Sequence, residues 1–257
     1  MRNMTLYVHP EKGSPVHRMD PVTKLFYVFT SVIISYMVMT HLMVSLVLAV
    51  SIFLLVTGKV FRSILPIIGV SFVLLASILI VQGFFHPDRV TVLWEIGPVT
   101  LYKEGFSIAF LILLRVLNMV CAFGVLILTT KPDELVETLI QRGLSPRFGY
   151  VLLSVLQIIP QMMALTGKIM DSQRARGLEM EGSLWVRLKS FIPLLGPVVL
   201  RSLAETRERS IALEVRGFNS TRKRTRLHEI QPYKYGIALK ALLAAVLLSV
   251  IVWRIWS

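Results

Sequence analysis

Between Arg62 and Asp88 the chain carries no Asp, Glu, Lys or Arg. Within that gap, SILPIIGVSFVLLASILIVQGFF (63–85) is long enough to cross the hydrocarbon core of a bilayer, which takes roughly 20 mostly apolar residues as a helix. Such a run leaves few folding options, because in lipid every backbone N–H and C=O has to be satisfied within the segment. Pro66 and Gly69 are tolerable there, since neighbouring helices can satisfy freed backbone groups. The pattern recurs in LFYVFTSVIISYMVMT from Leu25, LMVSLVLAVSIFLLV after His41, FSIAFLILLRVLNMVCAFGVLIL from Phe106, and GIALKALLAAVLLSVIVW from Gly236 to Trp253. The runs after Leu25 and His41 are short, at about 15–16 residues, and read as a tight hairpin that needs a locally thinned bilayer or extension into the interface. Hydrophobic residues make up 54% of the chain, above the roughly 45–50% of soluble domains. The expected fold is therefore all-α: a polytopic membrane helical bundle of about five spans, with a cytoplasmic helical coupling region. The N-terminus, a polar stretch followed by two apolar runs in quick succession, does not read as a cleaved signal.

Charge sets the expected topology. Lys and Arg number 28 against 15 Asp and Glu, a net +13, and short basic flanks mark the cytoplasmic side. Arg2, Lys12, Arg18 and Lys24 place the N-terminus inside, and Lys59 and Arg62 do the same for the 57–62 turn. The longest break between apolar runs, Lys131 to Tyr235, holds 17 basic and 10 acidic residues, a balance of +7. The predicted organisation is a cytoplasmic segment at 1–24, four spans within 25–130, cytoplasmic coupling helices at 131–235 and a final span at 236–257, with the C-terminus outside. In the coupling block, YVLLSVLQIIPQMMALTGKIMDSQRARG has the composition of a long helix kinked at Pro160, and its first part can dip into the membrane. EGSLWVRLKSFIPLLG sets Leu184, Leu188, Phe191 and Ile192 on one face, as an interfacial amphipathic helix does. A further helix is expected to start with Pro197 in its first turn, with Leu200, Ala204, Ile211 and Val215 in an apolar stripe and Arg201, Glu205, Glu208 and Arg209 polar.

Two short motifs stand out in that block. DSQRARGLEMEG (171–182) contains Arg176-Gly177, and forty positions later SIALEVRGFNS contains Arg216-Gly217. A single Arg-Gly after a helix is explained by capping: Gly supplies the left-handed residue past the last turn, and Arg complements the negative end of the helix dipole. Repetition on two amphipathic helices on one predicted side asks for more. Each helix end presents a planar, permanently charged fork suited to an acidic or carbonyl-lined groove on another protein, and the Gly turns the chain away so that the Arg projects.

SQRARGLE and ALEVRGFN resemble the paired Ala-Arg-Gly signatures of the T component (EcfT/CbiQ-like) of energy-coupling factor transporters, with Val215 where that family usually has Ala. HRMDPVTKL (17–25) is similar to that family's entry into its first span, and TKPDELVETL (130–139) resembles its Thr-x-Pro segment after a span. The resemblance implies a non-catalytic transmembrane coupling subunit of an ATP-driven importer for a vitamin or transition metal. Its implied partners are two ABC-type ATPase subunits, a small membrane substrate-binding (S) subunit and the lipid bilayer. It also implies that Ala175, Arg176 and Gly177 engage one ATPase and Val215, Arg216 and Gly217 the other, so that ATP-driven closure levers the bundle and topples the substrate-binding subunit.

The remaining features have plainer readings. Arg115 is costly in lipid and is expected to snorkel or to pair within the bundle, with Asn118 one turn on as a candidate. Gln157 and Gln161, like Gln173 and Gly177, are one turn apart and suit a solvated face better than a subunit contact. TRKRTR (221–226) lacks interleaved aromatics and suits anionic lipid rather than nucleic acid. In HRMDPVTK, Asp20 can stand against Arg18 or Lys24, but its position suits an N-cap with Pro21 next. Cys121 is the sole cysteine, and no pair of the five histidines has metal-ligand spacing, so neither a metal site nor a cofactor is expected. The chain has no G-x-x-x-x-G-K-[ST] and no Gly-x-Ser-x-Gly or His-Glu-x-x-His, so ATP hydrolysis is assigned to partner subunits. Two alternative readings are a conventional ABC permease with its own substrate path and a membrane-embedded lipid-modifying enzyme. The former needs a single coupling loop per subunit, and the latter needs clustered acidic or His residues that the sequence does not offer.

Overall fold

The computed structural model describes residues 14, 16–85, 92–96, 99–177, 183–220 and 236–256. In chain order these form α1 (Pro21–Met37), α2 (His41–Thr57), α3 (Phe61–Phe85), β1 (Val92–Ile96), β2 (Val99–Tyr102), α4 (Lys103–Thr129), α5 (Pro132–Gln141), α6 (Pro146–Ala175), α7 (Leu184–Val215) and α8 (Gly236–Trp256). The chain divides into two units, Met1–Gly143 with Ile230–Ser257, and Leu144–Glu229. TRKRTR lies outside the described residues, as do the side chains of Leu184, Leu188, Phe191 and Ile192.

In the first unit α4 is the central post, packed on α1, α2 and α3, while α5 and α8 pack on α1. Half of α4's most apolar stretch is buried within the chain, against 11% for α3 and 6% for α8, so α3 and α8 turn most of their apolar surface outward. Among the described residues four helices can cross a membrane by length and composition: α3, α4, α6 and α8. The runs read from Leu25 and after His41 form helices of 17 residues each, α1 and α2, spanning about 26 Å against a hydrocarbon core of about 30 Å. They make the expected hairpin, turning at residues 38–40. Among the described residues the regular structure is helical apart from β1 and β2, an antiparallel hairpin with Trp94 opposite Leu101 and Ile96 opposite Val99. Both strands are rich in β-branched and aromatic residues and flank Gly97-Pro98, a composition that favours a hairpin over a helix.

The bundle has an apolar core and a polar one. Leu55, Val60, Ile64, Val125 and Leu128 are buried together. At Gly124 a Cβ would stand 1.9 Å from Ile64 Cδ1, so the missing side chain is what lets α3 close on α4. Asn118 of α4 is fully buried. Its Nδ2 donates to the hydroxyls of Ser31 (2.9 Å) and Ser35 (2.7 Å) on α1. Its Oδ1 accepts from Ser51 of α2 (2.7 Å), which in turn bonds the Tyr27 hydroxyl (2.7 Å). Arg115 does not pair with Asn118. Its guanidinium donates to the carbonyls of Ser35 (2.8 Å) and Val38 (2.9 Å) at the end of α1, the negative end of that helix, where carbonyls lack intrahelical donors.

At the other end of α1, Asp20 is the N-cap, accepting from the Val22 N–H at 3.3 Å, with Pro21 next, as the sequence predicts. The cations that reach its carboxylate are Arg142 and Lys240. Lys24 instead donates to Thr129 O (2.8 Å) and Thr130 Oγ1 (3.2 Å). Pro132 opens α5 in the predicted Thr-x-Pro segment.

The expected boundary at Pro197 is not there. The helix runs unbroken from Leu184 to Val215 with Pro193 and Pro197 inside it. The two prolines are four residues apart, so both missing N–H groups fall on one helix face and favour a bend there over an end. Likewise α6 continues through Pro160.

Two expectations follow. Gly124→Leu lowers the thermal unfolding midpoint in detergent by several degrees, as overpacking costs of about 1–3 kcal/mol imply, whereas Gly69→Ala, where nothing lies within 4 Å, leaves it unchanged. His17, in the turn before α1, has both ring nitrogens buried without a hydrogen-bond partner. Burial, then the charge of Lys24, lowers its pKa below the ordinary 6.5, with Glu134 opposing. The folded state thus resists protonation of His17, so stability present above pH 6.5 is lost as pH falls below it. Unfolding midpoints measured on either side of that pH should differ less in His17→Phe than in the wild type.

Candidate functional site

The two Arg-Gly pairs end the two long helices of the second unit. Helix α6 stops at Ala175, with Arg176 as its C-cap (φ −88°, ψ 7°) and Gly177 left-handed at φ +86°. Helix α7 stops at Val215, with Arg216 as its C-cap (φ −77°, ψ 0°) and Gly217 at φ +68°. The second end is a complete Schellman motif: Gly217 N–H bonds Glu214 O (2.9 Å) and Phe218 N–H bonds Leu213 O (3.0 Å). The first repeats its inner bond, Gly177 N–H to Arg174 O at 2.9 Å. In both, the glycine reverses the chain and leaves the arginine on the last helical position. Arg176 and Arg216 are exposed, and neither has an ion-pair partner among the described residues. Ala175 is exposed too, and Val215 is 83% exposed, so no packing within the chain depends on which apolar residue precedes Arg216.

A third Arg-Gly escaped the sequence reading. Arg142 is the C-cap of α5 and Gly143 has φ +115°, the same local geometry. This guanidinium is not free but bound to Asp20. The repeated dipeptide was visible in the sequence; among the described residues, what separates the three copies is that a carboxylate from elsewhere in the fold reaches Arg142 alone.

Contacts between α6 and α7 fix the separation of the two tips. Tyr150 near the start of α6 stacks on Phe218 just past α7 (centroids 5.0 Å apart), and Gln161 accepts a hydrogen bond from Arg209. Positions that rise along α6 meet positions that fall along α7, so the helices are antiparallel and their C-terminal ends point apart. Gln161 thus makes a helix–helix contact while staying exposed, on the solvated face the sequence predicts. Counting from the Gln161–Arg209 contact at 1.5 Å per residue, Arg176 and Arg216 stand on the order of 30 Å apart along the pair. The predicted apolar stripe of α7 is not buried by this pairing: Leu200 is 70% and Ile211 53% exposed, with Ala204 exposed as well. Salt bridges along the helices, Arg201–Glu205 and Arg174–Asp171, are exposed and local.

In the first unit a cavity of about 540 Å³ lies between α1, α2, α4 and α8. Its lining, including Leu54, Val125, Leu239 and Leu243, is apolar except for Lys24 and Tyr27, which suits hydrocarbon better than a polar cargo. Among the described residues no three His, Cys, Asp or Glu side chains are grouped to hold a metal ion.

The chain has been compared with known proteins. The family model described as CbiQ, cobalt transport protein, matches residues 12–227. The energy-coupling factor transporter transmembrane protein EcfT of Listeria innocua is 29% identical, with 98% of each chain covered. The proteins of the same name from Staphylococcus aureus and Heliobacterium modesticaldum are 28% and 27% identical, covering 85% of each chain, and 99% and 98% respectively.

The tip geometry predicts the effect of replacing its glycines. Nothing lies within 4 Å of a Cβ built on Gly177, so the cost of a side chain is the left-handed backbone alone, about 1–2 kcal/mol and least for Asn. Amide hydrogen exchange in residues 173–177 should accelerate in Gly177→Val and much less in Gly177→Asn. Equal rates in the two variants would contradict the backbone explanation.

Proposed function

The chain belongs to the CbiQ family and is a transmembrane T component of the energy-coupling factor type, and we propose that Arg176 and Arg216 are the points at which it grips two ATP-hydrolysing subunits. In this reading the chain is not an enzyme. Two cytoplasmic ABC-type ATPases bind and hydrolyse ATP, a small membrane substrate-binding subunit captures a vitamin or transition metal, and this chain couples them. Ala175-Arg176-Gly177 docks on one ATPase and Val215-Arg216-Gly217 on the other.

The observation that carries this reading is the spacing of the tips. Two guanidiniums about 30 Å apart, with no ion-pair partner among the described residues, at the divergent ends of an antiparallel pair are too far apart for one groove and suit two separate partners. Each arginine sits at the end of a long helix, of 30 residues in α6 and 32 in α7, so movement of a bound partner is passed along the helix. A permease with its own substrate path would need a polar route through the bundle, and the cavity there is apolar.

The same pairing supports a cytoplasmic placement of the two helices. Helix α6 has the length and composition to span a membrane, but α7 carries Arg201, Glu205, Arg207, Glu208 and Arg209 within three turns and is too polar to enter the hydrocarbon. Because α6 lies along α7, the pair belongs at the cytoplasmic surface of the inner membrane, with the exposed Leu200 and Ile211 face against lipid headgroups or the membrane partner. The basic balance of residues 131–235 places that surface inside.

Arg176→Ala and Arg216→Ala should each weaken retention of the ATPases by roughly tenfold or more, as loss of a charge-assisted contact worth about 1.5–3 kcal/mol requires. The double variant should insert normally yet support neither co-purification of ATPases nor uptake. Full uptake by the double variant would refute the assignment.

A further inference from the structure

We propose that the first turn of α1, Asp20 through Lys24, is the clamp through which motion of the α6–α7 pair enters the membrane bundle, an inference that rests on the coupling role argued above. Asp20 and Lys24 are four residues apart and so share one helix face. Both are largely withdrawn from solvent: the Asp20 side chain is 12% exposed and Lys24 is 2% exposed. Together they hold the stretches of chain that flank the second unit. Lys24 binds Thr129 O and Thr130 Oγ1, where α4 passes into α5. Asp20 binds Arg142, the C-cap of α5, two residues before the second unit begins at Leu144. Asp20 also binds Lys240 at 2.9 Å, one turn into α8, the helix that follows that unit.

A helix start needs none of this. An N-cap requires only a short side-chain acceptor, and Asn serves nearly as well as Asp. Withdrawing a lysine and a twice-paired carboxylate from water is expensive, and an apolar contact is often at least as stabilising. What ionic groups supply instead is a set of discrete arrangements: a carboxylate shared by two cations can pass from one toward the other as helix ends shift, in the manner of salt bridges that repack during rigid-body switching. One cation lies on the chain entering the second unit and the other on the chain leaving it, so a displacement of either end is felt at Asp20. Through Lys24 and the α1–α4 packing it reaches the central post. Gly143, left-handed at φ +115°, turns the chain immediately after the clamped Arg142.

The test uses the complete transporter, with both ATPases and the substrate-binding subunit, in proteoliposomes where ATP hydrolysis and uptake are measured together. Asp20→Asn keeps the cap acceptor and removes the charge. The expected result is an assembled complex that hydrolyses ATP within about twofold of wild type, while uptake per ATP falls about tenfold, within the usual range of a coupling free energy. Asp20→Glu should restore much of the loss. Lys240→Gln, which removes one cation and leaves the cap untouched, should uncouple in the same sense and decides the matter if the Asn variant does not accumulate. Wild-type uptake per ATP in both Asp20→Asn and Lys240→Gln would overturn the proposal, as would loss of the ATPases from an otherwise folded Asp20→Asn variant. Failure of the docking reading shows itself separately, as ATPases that do not depend on Arg176 and Arg216.

Discussion

Hydrogen bonds made away from water hold the membrane bundle together. Apolar side chains give helices in lipid no strong reason to choose one neighbour over another, because the lipid tails are equally apolar. Asn118 supplies that reason here. One buried amide engages Ser31 and Ser35 on α1 and Ser51 on α2, so α4 has a single register against two helices at once. Each such bond contributes on the order of 0.6 kcal/mol in a membrane, but together they specify the packing. Arg115 extends the same logic to the end of α1, where its fork satisfies carbonyls that lipid cannot. The close approach of α3 at Gly124 then completes a stiff post.

A stiff post matters for a device that transmits movement. The second unit has the opposite character: long helices, few buried side chains, charged and apolar faces side by side. Its α6–α7 pair is joined by the Tyr150–Phe218 stack and the Gln161–Arg209 bond, with arginines at its divergent ends. The same capping geometry, set by left-handed glycine in each case, leaves Arg142 on a carboxylate of the fold, while Arg176 and Arg216 are exposed and meet no carboxylate among the described residues, as the proposed docking requires.

Much of this was legible in the residues. The long apolar runs of α3, α4 and α8, the Asp20-Pro21 start of α1, the Pro132 start of α5 and both Arg-Gly ends obey local rules of length and capping, which a sequence carries in full. The departures came where the outcome depends on distant residues. Arg115 has Asn118 one turn away, yet its partners are carbonyls on another helix, reachable only once α1 and α4 are packed. Asp20 has Arg18 and Lys24 nearby, but Arg142 and Lys240 arrive from 122 and 220 positions away. Pro197 reads locally as a helix start, and the continuity of α7 through it reflects two prolines sharing one face. The stripe from Leu200 to Val215 has the right period for packing, but periodicity does not say whether the covering surface belongs to this chain.

The central claim is that two arginine-bearing helix ends on the cytoplasmic side are each covered by an ATPase. Site-directed labelling tests it directly, because the native cysteine, Cys121, is buried. Single cysteines placed beside the tips, Ser172→Cys and Asn219→Cys, can be exposed to a membrane-impermeant maleimide in inside-out and right-side-out vesicles, with and without the ATPases. Both positions should label only from the cytoplasmic face, and both should be shielded when the ATPases are present. Labelling of either position from the outside alone, or rates indifferent to the ATPases at both, would contradict the account.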